Sequence, residues 1–187
     1  ARMKSPLDIL DWSTLDAATR DAVLRRPVQR DAAGLLERTR GIVADVRARG
    51  DDALREYTAR LDGVHLESFR VSDAEFAAAE AALTPVQRAA LERAIDTITR
   101  FHELQTLPPL RLETAPGVVC ERITVALESV GLYVPAGTAP LPSTALMLAI
   151  PASIARCPVR VMCTPPRPDG SADPAVLVAA RLCGVRK

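Results

Sequence analysis

The segment "TALMLAIPASIARC", residues 144–157, constrains this chain more than any other. Ala145, Leu146, Met147, Leu148, Ala149 and Ile150 put apolar side chains on every side of a helix. Such a helix has to be buried on more than one side, so it needs a sheet, further helices, or both. It stands between two short apolar runs rich in β-branched residues, "SVGLYV" before it and "VRVMCT" after it. A second helix pattern then opens at Asp173 and Pro174 and closes at Gly184. Strand, loop, helix, strand, loop, helix predicts parallel strands joined by crossover helices, an α/β arrangement. Pro151 lies inside the apolar helix, where it removes a backbone donor, so a kink or a break into two helices is expected.

The first hundred residues read differently. Residues 31–49 place Leu35, Leu36, Thr39, Ile42, Val43 and Val46 on one helical face, with Gly50 as a stop. "DDALREYTARLDG" predicts a second helix, with Asp51 near its start and Gly63 as its C-terminal cap. Ser72-x-x-Glu75 is a capping box. Thr84, Pro85 and Gln87 open another helix running to about Gln105, with an apolar seam of Leu91, Ala94, Ile95, Ile98 and Phe101. Pro108, Pro109, Pro116 and Gly117 then punctuate the chain, and "VVCERITVAL" reads as a possible strand. The expected organisation is a helical region over 1–107, a connecting segment with a possible strand over 108–128, and the start of an α/β domain over 129–187.

The βα pattern reaches Gly184 at the point where another strand is due. Two or three strands make a poor parallel sheet, because its interior strands need neighbours and both faces need cover. The expectation is that a partner subunit or further polypeptide completes it.

Composition excludes several classes. A net charge of +1, with Arg scattered among acids, gives no basic stripe for nucleic acid. No apolar run approaches the roughly 18 residues that suggest a membrane span. The N-terminal "ARMKSPLDIL" is basic but lacks the apolar core of a signal peptide. Aromatic residues make up only 3%, so the core is built from Leu, Val, Ile and Ala. Cys120, Cys157, Cys163 and Cys183 form no C-x-x-C pair and are expected to be reduced, buried thiols.

In open α/β sheets, ligands bind beyond the C-terminal ends of strands. Tyr133 ends its strand and is followed by Pro135, Ala136 and Gly137. Ser143 and Thr144 offer N-caps to the apolar helix, whose first amides can attract an anion. Tyr133 can stack on a planar ring, or it can simply close a rigid structural loop. There is no G-x-G-x-x-G and no Walker A sequence.

The stretch "VGLYVPAGTAPLPSTALMLAIPASIARC" and its continuation to 185 closely resemble histidinol dehydrogenase. So do "VRARGDDALREYTARLDG" at 46–63 and "FHELQTLPPL". The resemblance implies a helical N-terminal region followed by an incomplete Rossmann-like parallel sheet, in a histidinol dehydrogenase or aldehyde dehydrogenase-like architecture that is truncated in this chain. It implies a cytoplasmic, zinc-containing homodimer that uses NAD to oxidise L-histidinol through L-histidinal to L-histidine. The family's GLY(V/I)P tyrosine maps onto Tyr133, which is thereby expected to contact NAD. Many relatives have Gly-Gly where this chain has Ala136-Gly137, a departure that matters if the loop needs a positive φ. Family members are typically well over twice this length. Their zinc ligands and proton-transfer residues are expected beyond Lys187, so no catalytic and no metal residue is assigned in this chain, which alone is expected to be inactive.

The residues themselves agree with that expectation. His65 follows a helix stop and His102 sits on a helix, neither with a second His at i+3 or i+4. Asp51 and Asp52 read as first-turn helix residues, and Glu80, Glu92 and Glu103 as solvated helix faces. A non-catalytic α/β module for dimerisation or ligand binding is the alternative reading. A related aldehyde-oxidising fold would need an activated cysteine, and no Cys here has an obvious activating neighbour.

Overall fold

The computed structural model describes residues 10–24, 32–136 and 139–185. The N-terminal stretch at 1–9 and Gly137, both weighed above, lie outside the described residues. The chain divides into two compact units, Ala1–Gly50 and Asp51–Lys187.

The first unit holds helices α1 (Ala17–Leu24) and α2 (Ala32–Arg49). Trp12 lies under the Arg20 guanidinium, 5.3 Å from the ring centroid. The α2 helix ends where expected, with Gly50 at φ +61°. None of the unit's described residues is buried, and Leu35, Leu36 and Val43 are exposed.

In the second unit, local signals place the helices. Helix α3 (Asp51–Leu61) stops ahead of Gly63 at φ +71°. Helix α4 (Asp73–Ala82) opens on the Ser72–Glu75 box, and α5 (Pro85–Glu103) on the Thr84–Gln87 box, with both reciprocal bonds formed in each. On α5, Leu91, Ala94, Ile95 and Ile98 pack on the core, whereas Phe101 at the end of that seam is exposed.

Residues 108–128 hold a hairpin, and its first strand has no counterpart in the sequence reading. Strands β1 (Leu110–Ala115) and β2 (Val118–Arg122) pair antiparallel with a bulge between Glu113 and Ala115. Pro116 and Gly117, the latter at φ +81°, supply the geometry of a tight turn, and Glu113 accepts the Gly117 N–H at 2.7 Å. Residues that read as punctuation therefore close a hairpin, and every residue of both strands is exposed.

Strands β3 (Ser129–Tyr133) and β4 (Val159–Cys163) pair in parallel, connected by helix α6 (Pro142–Ile154). Helix α7 (Pro174–Leu182) follows. This is the helix-rich region leading into a parallel sheet that the sequence predicts. Leu132 and Val134 point into a core made with Ala145, Leu146, Ala149 and Ile150 of α6 and Val176, Ala179 and Ala180 of α7. The α5 seam closes one side of this core, and Ala79 of α4 meets Leu177 and Val178 on another.

The start of α6 differs from expectation. The helix begins at Pro142, so its N-cap is Leu141 and not Ser143 or Thr144. Pro142 lacks an N–H and has φ already set for the first helical position, which fixes the start two residues early. The helix runs through Pro151 without breaking in two. Met147 is exposed, so cover is wide without being complete. The helix ends in a Schellman motif: Cys157 N–H donates to the Ala152 carbonyl at 3.0 Å and Arg156 N–H to Ser153 at 2.9 Å. Arg156 takes the left-handed position at φ +59°, the place that Gly184 fills at the end of α7.

Candidate functional site

Parallel pairing carries the C-terminal ends of β3 and β4 to the same side. Tyr133 stands opposite Cys163 in register, and the Val134 N–H donates to the Cys163 carbonyl at 2.9 Å. Along β3 and β4 the even positions face the helices, while Gly131, Tyr133, Val159, Val161 and Cys163 face outward and are exposed. Tyr133 is 62% exposed, so its ring is free to meet a ligand. Pro135 and Ala136 continue from it at the surface.

Two helices begin on this side of the sheet, and their first turns differ. At α7 the Asp173 carboxylate accepts from the N–H groups of Ala175 at 2.9 Å and Val176 at 3.2 Å. That terminus is already neutralised by the chain's own charge. The α6 terminus has no side-chain cap; the Leu141 carbonyl accepts from Thr144 and Ala145, and no carboxylate sits in its first turn. The loop between β4 and α7 is tied by Gly170 N–H to the Arg167 carbonyl at 2.8 Å and by Arg167 N–H to Ser171 at 2.7 Å. The Ser171 hydroxyl, donating to Asp169 at 2.6 Å, holds that carboxyl below its usual range.

The other residues weighed from the sequence are dispersed. His65 is exposed in the segment after α3. His102 Nδ1 lies 2.7 Å from Gln105 Oε1, and its ring meets Phe101 edge-on. Asp52 pairs with Arg55, Glu92 with Arg88, and Glu80 with Arg181. Among the described residues, no group of three or more His, Cys, Asp or Glu is placed to hold a metal ion. The residues described do not fit a zinc site.

All four cysteines are free thiols, but they are not uniformly buried as expected. Cys157 is buried, Cys183 is half-buried, and Cys120 and Cys163 are exposed. Cys120 belongs to the uncovered hairpin, and Cys163 to the outward face of β4. Burial pushes the Cys183 thiol up to about 11, against a smaller opposing pull from Arg160. The place of Cys163 beside Tyr133 escaped the sequence reading, because strand register is a long-range property. Two hollows of about 420 and 400 Å3 lie at the end of α5 and between Phe76 and Arg181, and neither is lined by Tyr133.

Comparison with known proteins adds a separate line of evidence. A family model described as histidinol dehydrogenase matches residues 25–187. Histidinol dehydrogenase of Xanthomonas euvesicatoria pv. vesicatoria (strain 85-10) is 59% identical over 181 residues, covering 97% of this chain and 42% of the relative. The Xylella fastidiosa (strain 9a5c) protein of that name is 50% identical over the same shares of both chains. A crystal structure of histidinol dehydrogenase from Elizabethkingia anophelis superposes with a TM-score of 0.84 at 36% identity, over 91% of this chain and 39% of that one. The chain thus spans about two fifths of the length of these relatives.

Proposed function

The chain belongs to the histidinol dehydrogenase family, and from that premise we propose that it supplies part of the cofactor site of an NAD-dependent oxidation of L-histidinol, through the aldehyde, to L-histidine. When bound, NAD accepts the hydride released in each of the two oxidation steps. Tyr133 contributes a face or edge for the cofactor at the end of β3. The bond from Val134 to Cys163 holds that loop against β4, and the uncapped α6 terminus offers positive potential to an anionic ligand. In this reading 129–187 is the opening part of a Rossmann-like domain, and the assembled enzyme is a cytoplasmic homodimer. In this reading zinc and the proton-transfer groups are supplied by polypeptide corresponding to the part of the relatives that this chain does not span. No step is therefore assigned to a residue of this chain beyond binding and orientation.

The observation that carries the reading is an exposed tyrosine at the end of the strand that leads into an uncapped helix, within the stretch that the family model matches. Titrating NAD into the wild-type chain and into Tyr133→Ala tests it. Loss of one aromatic contact is expected to weaken Kd by roughly two- to tenfold. Equal affinities would remove Tyr133 from the site, and no binding to either form would remove the site from these residues. The same preparations are expected to give no histidinol-dependent NADH. Robust turnover would overturn the placing of the chemistry elsewhere.

A further inference from the structure

We draw no further inference here: the strongest candidate, the outward apolar face of the β3–β4 sheet formed by Gly131, Tyr133, Val159, Val161 and Cys163, carries nothing because nothing in the structure shows what covers it.

Discussion

Leu110, Leu112, Val118 and Val119 of the β1–β2 hairpin are as apolar as Val130, Leu132 and Met162 of the β3–β4 pair, yet the first set is exposed and the second packs in a core. The difference lies in what each connection brings. A two-residue turn closes the hairpin and adds no cover. Parallel strands can be joined only by a long crossover, and here that crossover is α6, which lies on the sheet it connects. Burial in this chain follows topology more than strand composition. Even the better-covered pair is finished on one face only, a state that parallel sheets rarely tolerate.

The sharpest way to break this comparison is to remove one apolar side chain from each region. Leu146→Ala, at a fully buried position of α6, is expected to cost about 2–5 kcal/mol through lost transfer energy and a residual cavity. Leu112→Ala, on the exposed hairpin, is expected to stay within about 0.5 kcal/mol. Urea unfolding of both variants measures the gap, and equal losses would show that the hairpin is covered in solution.

The ends of the two core helices give the next largest contrast. Gly184→Ala forces a left-handed backbone on a residue with a Cβ and brings that atom to 3.2 Å from the Arg160 guanidinium, which itself donates to the Gly184 carbonyl. The expected loss is about 1–2 kcal/mol. Arg156→Gly relieves the same backbone cost at the end of α6 and is expected to stabilise by up to about 1 kcal/mol. Opposite shifts in Tm are the expected result; shifts of one sign would mean that side-chain contacts, not φ, govern these positions.

At the beginnings of the same helices the effects are smaller. Asp173→Ala removes a cap with two bonds and is expected to cost about 1 kcal/mol, whereas Ser143→Ala, which removes no cap, is expected to change stability by a few tenths at most. A similar loss for both would restore Ser143 as the cap of α6.

At neutral pH the smallest effect is that of Cys183 titration, which enters only in alkaline solution. Its folded thiol titrates near 11, above the ordinary thiol value of about 8.5 in an unfolded chain. The folded state therefore holds the proton where the unfolded state releases it. The associated stability is complete below about pH 8.5 and is lost as pH rises towards 11. The difference in unfolding free energy between wild type and Cys183→Ala should shrink over that window. A difference independent of pH would place the thiol in water. Cys163 and Cys120, being exposed, should react with a thiol reagent well before Cys183 does.

Much of the fold was legible in the sequence wherever the deciding contact lies within about four residues. The Ser72 and Thr84 boxes, the Asp173 cap and the stops at Gly50, Gly63 and Gly184 each depend on immediate neighbours. Where two local signals compete, the sequence alone is ambiguous: Ser143 and Thr144 offer hydroxyl caps, but Pro142, with its fixed φ, governs the start of α6. Arg156 carries no glycine signal, so the Schellman end of α6 could not be anticipated. The first hairpin strand was hidden among prolines that mark its borders. As for the site, Tyr133 and its loop were visible as a strand end, but their neighbour was not.

The sequence by itself determined where the capped helices open, where the glycine-stopped ones close, and that the 144–157 segment had to be covered, because capping, backbone φ and hydrophobic period are short-range properties. Only the tertiary structure decided that Tyr133 stands opposite Cys163, that Phe101 leaves the α5 seam, and that one face of β3–β4 is packed while the other is open. Those outcomes depend on strand register and on which helix crosses which strand, and residues thirty apart in the chain settle them only when they meet.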